Sequence, residues 1–358
     1  MSFGLQPNLK GDADLTTYRL SILSPTPVTL TQVRYFSHAF VVLICCCSAI
    51  VFGSTVTADP DSVGWVQLSP ASSPPPRSYL AMTYDPASRK VILFGGFDGT
   101  AYLNDTWTFD GISWIHVAAH RSPPARTNAQ MAYDSVTQKV VLFGGYNGRN
   151  YLGDTWLWDG ITSRWTQARP VHQPAAVTGP MLFPDPNGSV DLLGGFDGRF
   201  YQYSMWQWNG SDWTQLFPGM LPYARSSAAV AANNVTGEVV LFGGLADVNP
   251  VNTWTYDGTT WTLQSPQIQP TWVYGGSAAY DPNLRAIVLF GGGSGGVDQN
   301  TTWEWLGFRL NWRQLLTTQS PPAREGAGIA YDHALHRVVI FGGQNSDAYL
   351  NDTWELIP

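Results

Sequence analysis

Lysine is almost absent from this 358-residue chain, occurring only at Lys10, Lys90 and Lys139. Charged residues make up 13% and the formal net charge is −7. There is no basic footprint of the kind nucleic acid requires, so no nucleic-acid partner is expected. Cysteine is confined to Cys45, Cys46 and Cys47. Residues 59–358 therefore hold no disulfide and no thiolate metal site. The longest apolar run, Ala39 to Gly53, is 15 residues, short of the roughly 18 or more of a spanning helix. The six histidines show no metal-ligand spacing. No serine nucleophile elbow, phosphate-cradling glycine loop or paired carboxylate is recognisable. No metal and no cofactor are expected, and no catalytic residue can be named.

What abounds is glycine (36), proline (25) and tryptophan (16), in a chain that is 44% hydrophobic. Apolar content at that level excludes a disordered chain. Many turn formers with many aromatics point to short strands. The apolar run has Arg34 before it and Asp59 and Asp61 after it, the charge order for export of the downstream chain. Val56-Thr57-Ala58 offers a signal-peptidase site. Residues 1–58 are thus read as a signal peptide with a long N-terminal extension or, uncut, as a signal anchor. Residues 59–358 form the exported domain, secreted or periplasmic. The alternative is a membrane-anchored protein with that domain outside the cytoplasm, touching membrane only through residues 39–53.

A Gly-Gly doublet recurs six times, at Gly95, Gly144, Gly194, Gly243, Gly291 and Gly342 and the glycine after each. The spacings are 49, 50, 49, 48 and 51 residues. Phe precedes the doublet five times and Leu193 once. A Trp follows the second glycine by 10 or 11 residues (Trp107, Trp156, Trp206, Trp254, Trp303, Trp354). A second Trp follows by 7 or 9 (Trp114, Trp165, Trp213, Trp261, Trp312). Each repeat reads as four strands: one ending in Tyr-Asp, one of the form KVVLFGG, one of the form DTWLWD, and one carrying the second Trp. Asp-Gly or Asn-Gly pairs mark the last hairpin. The sixth repeat stops after its third strand. Its missing fourth appears at Trp65-Val66-Gln67-Leu68, alike in form to Trp213-Thr214-Gln215-Leu216.

A four-stranded repeat of about 50 residues with this signature resembles the kelch repeat, a β-propeller blade. The resemblance covers residues 65–358. It implies an all-β, six-bladed kelch-type propeller whose last blade is closed by an N-terminal strand. It also implies distant similarity to the galactose-oxidase/kelch superfamily. The copper radical chemistry found there needs a cysteine that residues 59–358 lack. The repeat tryptophans read as core, and Trp272, outside the frame, as surface or ligand-facing. The recurring Asp two residues before the first Trp, as in Asp105 and Asp352, reads as a strand-start residue bonding local backbone.

In such a blade the inter-blade connectors lie on the same side as the loops after Gly-Gly. Two positions recur there. Arg77, Arg126, Arg225 and Arg324 lie seven residues before the Tyr of the first turn, or before Ala232 in its place, with Val177 and Val273 in the other connectors. Tyr102, Tyr151, Tyr201 and Tyr349 lie five before the first Trp, with Asn249 and Asp298 in the other blades, and Arg149 and Arg199 precede two of them. Arg with Tyr suits an anionic or glycan ligand at the rim of a central funnel; alternatively the Pro-x-Arg positions tie neighbouring blades together. The expected function is a binding module for a protein or glycan. Alternatives are a carbohydrate-active enzyme using the funnel, similar to a sialic-acid epimerase or a lyase, and a structural envelope protein.

Overall fold

Apolar runs such as Lys139–Phe143 become second strands buried from their second residue onward, sheathed on both faces by neighbouring sheets. The computed structural model describes residues 63–119, 121–248 and 250–357. The apolar segment 39–53, the cleavage site after Ala58, His120 and Asn249 lie outside the described residues.

The first strand in the chain, β1 (Gly64–Leu68), belongs to the last blade. Blade one comprises β2 (Ala81–Asp85), β3 (Lys90–Phe97), β4 (Tyr102–Phe109) and β5 (Trp114–Val117). Blade two comprises β6 (Gln130–Asp134), β7 (Lys139–Phe143), β8 (Thr155–Asp159) and β9 (Arg164–Gln167). Blade three comprises β10 (Met181–Pro184), β11 (Val190–Leu193), β12 (Met205–Trp208) and β13 (Trp213–Leu216). Blade four comprises β14 (Ala229–Ala232), β15 (Val239–Phe242), β16 (Thr253–Tyr256) and β17 (Trp261–Gln264). Blade five begins with β18 (Ser277–Asp281) and β19 (Ala286–Phe290). A small hairpin of β20 (Gly293–Ser294) and β21 (Val297–Asp298) then leads to its β22 (Thr302–Leu306) and β23 (Asn311–Leu315). Blade six comprises β24 (Gly328–Asp332), β25 (Arg337–Phe341), β26 (Thr353–Ile357) and β1.

Every blade is an antiparallel sheet in which neighbouring strands are hydrogen-bonded in order. In blade six, β1 pairs with β26 in the register Trp65↔Leu356 and Gln67↔Trp354. The two ends of the propeller thus share a sheet, and the ring is closed by ladder hydrogen bonds rather than by a crosslink. The first strand of each blade touches the first strands of both neighbours, so these six strands line the axis. Both glycines of each doublet are left-handed; in blade one φ is +65° at Gly95 and +105° at Gly96. A β-carbon on Gly95 would press on the Arg126 carbonyl of the next connector, which is why the doublet recurs.

The cores lie between blades. The fourth-strand tryptophans Trp65, Trp114, Trp213 and Trp261 are each 1% exposed. Five of the six fourth-strand indoles donate to a threonine on the preceding blade's third strand: Trp65 to Thr302 (2.9 Å), Trp114 to Thr353 (3.0 Å), Trp165 to Thr106 (2.9 Å), Trp213 to Thr155 (2.8 Å) and Trp312 to Thr253 (2.8 Å). Trp261 meets the sulfur of Met205 instead, because blade three has Ser204-Met205 where most others have Asp-Thr. Burial and hydrogen bonding are thereby met at one side chain, as a buried indole N–H requires.

Candidate functional site

The central channel is a cavity of about 770 Å³ lined by the first strands. Ala and Gly are the commonest residues in its lining, with tyrosines at the strand ends: Tyr84, Tyr133, Tyr280 and Tyr331. The cavity reaches the turns between first and second strands, including Asp185, Asn233 and His333, and so opens on that face. At its other end the backbone forms a closed cycle. Tyr79, Asn128, Gly179, Ser227, Gly275 and Gly326, one per blade, each donate N–H to the carbonyl of the preceding member at 2.6–3.0 Å. All six are left-handed, with φ from 50° to 63°. Three glycines leave room for the rest: the Tyr79 ring lies against Gly275 and Gly326, and Asn128 Nδ2 donates to Ser227 Oγ (3.0 Å). This cycle floors the channel beneath the loop face.

The structure corrects the expectation that the recurring arginines are presented to a ligand. Arg77, Arg126, Arg225 and Arg324 are 0–1% exposed. Arg126 forms a two-pronged pair with Asp154, Nη1 to Oδ1 at 2.7 Å and Nη2 to Oδ2 at 2.9 Å. Its Nη1 also donates to the Gly144 carbonyl (3.0 Å) and its Nε to the Pro124 carbonyl (2.9 Å). Arg77 with Asp105 and Arg324 with Asp352 repeat the arrangement. Their backbones bond the preceding blade: the Arg126 N–H donates to Leu103, and its carbonyl accepts from Gly96. Arg77, Arg126 and Arg324 therefore each tie their own blade to the one before through the backbone, while the guanidinium is used up on the acid and carbonyls of its own blade and connector. The reading of Asp105 and Asp352 as binders of local backbone is corrected by the same contacts. They accept from Arg77 and Arg324 and from the indoles of Trp107 and Trp354 (2.7 Å each). Burial raises the Asp154 carboxyl, but the hydrogen bonds and charge of Arg126 override it, so it ends below the usual carboxylate range.

In blade four Arg225 meets Asn252, with a single bond of 3.0 Å to Oδ1 and Nη2 left unpartnered. Burial without a countercharge lowers its guanidinium to about 10. Blades three and five have Val177 and Val273 at the arginine position, with Ser204 and Thr301 at that of the acid. Blades one, two and six carry both Arg and acid, blades three and five carry neither, and blade four keeps the Arg without the acid, so in five of the six blades the repeat alone pairs them.

The tyrosine positions are on the surface of the loop face. Tyr102, Tyr151, Tyr201 and Tyr349 are half-buried, while Arg149 and Arg199 are exposed. Consecutive ring contacts of 4.9–6.0 Å run Tyr349–Phe97–Tyr102–Tyr146–Tyr151–Phe196–Tyr201. This arc spans blades six, one, two and three. Tyr349, Tyr102 and Tyr151 lie over Gly99, Gly148 and Gly198 of the next blade's loop. Arg149 and Arg199 sit at the loop tips; Arg199 stacks on Phe200 at 4.9 Å.

The arc stops at blades four and five, and different chemistry begins. Beside it, on the loop and connector of blades three and four, Phe200 (58%), Tyr203 (59%), Phe217 (82%), Met220 (54%) and Tyr223 (65%) stand exposed. Tyr203 Oη reaches the Leu221 carbonyl at 3.4 Å, joining loop to connector. Trp272 is half-buried, its indole donating to the Gly244 carbonyl (2.7 Å) and its ring 5.5 Å from Tyr274. Among the described residues no cluster of three or more His, Cys, Asp or Glu could hold a metal ion.

A family model described as the KLHDC2/KLHL20/DRC7 Kelch-repeats domain matches residues 48–216 and again residues 187–358. No curated protein matches the chain.

Proposed function

The chain belongs to the kelch-repeat family of β-propellers, and from that premise we propose that it is a binding module for a protein ligand, seated on the loop face. One observation carries the reading: large apolar side chains left exposed on that face gather at blades three and four, beside a half-exposed aromatic arc. Contiguous exposed apolar surface rimmed by polar groups is the mark of an interaction site. Tyr, Phe, Met and Arg are the types enriched in such patches. The extent of the surface, spread over several loops, favours an extended polypeptide over a small glycan. Export of the propeller is part of the same reading and rests on residues 39–53 and the cysteine-free domain. Mass spectrometry of the amino terminus of the protein from its host tests it; an intact, uncut chain in the cytosol would refute it.

The test of the binding face is a selection of peptides from a random phage library on the folded propeller. Peptides from that selection should lose binding to Tyr203→Ser with Tyr223→Ser, and keep it with Ile112→Ser and Phe308→Ser on the opposite face. The reverse pattern would move the site to the turn face.

A further inference from the structure

Five positions depart from the repeat at one place. After the recurring Arg or Val, four blades carry Ser78, Thr127, Thr178 and Ser226, but blades five and six carry Tyr274 and Glu325. After Gly-Gly, four carry Phe97, Tyr146, Phe196 and Leu245, but blades five and six carry Gly293 and Gln344. Where the arc has tyrosine, blade five has Asp298. The backbone brings these together: Tyr274 bridges Gly293, Gly293 pairs with Asp298, and Glu325 bridges Gln344. A propeller blade needs none of these substitutions for its packing, and they converge at the junction of blades five and six, where the aromatic arc is interrupted.

Glu325 is the centre of the group. It is 9% exposed. Its Oε1 accepts from Gln344 Nε2 (3.0 Å), and Gln344 Oε1 accepts from Ser78 Oγ (2.8 Å). Its Oε2 has no hydrogen-bond partner, although the hydroxyls of Tyr79 and Tyr274 lie beside it. A β-carbon on residue 293 would overlap that oxygen, so Gly293 is what leaves the carboxylate its place. Asp298 is near enough to act on Glu325, Tyr79 and Tyr274 through its charge. Neither carboxylate has a salt-bridge partner among the described residues. The adjacent Arg324 is consumed by Asp352.

We propose that this Glu325–Asp298–Tyr274–Gln344 group is a socket for a basic side chain, lysine or arginine, of the protein partner. Two carboxylates without a cation attract one, and an aromatic face beside it adds to the attraction. Each phenol can donate to Glu325 while its own lone pairs accept from the incoming N–H. The carboxylate beneath supplies charge, and Asp298, Gln344 and Tyr274, all half-buried, supply the contacts. The socket adjoins the aromatic arc through the Gln344–Tyr349 bridge, so a chain crossing the loop face can fill both. The proposal rests on the loop-face reading above.

Peptides selected by phage display on the wild-type propeller, synthesised with blocked termini, are the probe. One position should be Lys or Arg throughout the selected set. Changing it to glutamine, or changing the protein by Glu325→Gln or Asp298→Asn, should each weaken binding about tenfold to a hundredfold, with melting unchanged. Peptides that need Tyr203 and Tyr223 but no basic residue, and bind Glu325→Gln as well as wild type, would overturn the socket and leave the loop face standing. Peptides indifferent to every loop-face substitution, or none at all, would overturn both.

Discussion

Arg126 and Asp154, 28 residues apart in sequence, close a two-pronged ion pair inside blade two while the backbone of Arg126 is bonded to blade one. The side chain and the main chain of one residue thus join two sheets. A charge this deeply buried is tolerated only with its partner in place. Arg126→Ala should therefore cost about 3–5 kcal/mol in chemical denaturation. Arg126→Met together with Asp154→Leu should recover much of it, since no orphan charge remains. A double substitution as unstable as the single one would count against the pair as the cause.

The same pair fixes a sign for acid denaturation. The folded carboxyls of Asp105, Asp154 and Asp352 lie below their ordinary values. Their contribution is present above the unfolded value, near 4, and is lost as pH falls through the folded value. Melting curves from pH 6 to 2 should show wild type losing stability more steeply than Asp154→Asn. Parallel curves would mean the carboxylate contributes nothing.

Blade four lacks the acid. Asn252→Asp should engage the unpartnered Nη2 of Arg225 and add about 1–2 kcal/mol. A lower melting temperature for this variant would show that Arg225 is not short of a countercharge.

Asp191 reverses the pH dependence. It stands on β11 where the other blades have Ile or Val, is fully buried, and holds Gln207 by one oxygen (3.1 Å) with the other unpartnered. Burial, with the charge of Asp185, pushes its carboxyl up to about 7. The folded protein therefore keeps a proton that the unfolded chain releases, and stability falls as pH rises from about 4 to 7, by up to roughly 4 kcal/mol. Asp191→Asn should flatten that slope. An unchanged slope would place the titration elsewhere.

The repeat makes the propeller legible: six Gly-Gly frames, four strands each, and the orphan strand at Trp65 completing the sixth. Glycine and tryptophan positions are read so readily because the backbone excludes a β-carbon at one and the inter-blade core demands bulk at the other. The arginines mislead because their place at the channel rim follows from topology, but their burial follows from a partner 28 residues on. The acid at that spacing is visible, yet its place at a strand start points it to local backbone. The Glu325 group is hidden because its members are scattered over three repeat positions and two blades, and only the closed ring brings them together. The floor of the channel, a cycle of six left-handed residues, has no sequence signature when Tyr79, Asn128 and Ser227 share the position with three glycines.

The most direct measurement is hydrogen exchange on the propeller with and without a selected peptide. Binding to the loop face predicts slowed exchange in the loops after Gly-Gly, at 97–104, 146–152, 196–204 and 293–299, and in the connector 217–226. Slowing confined to the turns at 135–138, 233–237 and 333–336 would place the ligand at the open mouth of the channel and contradict a loop-face site.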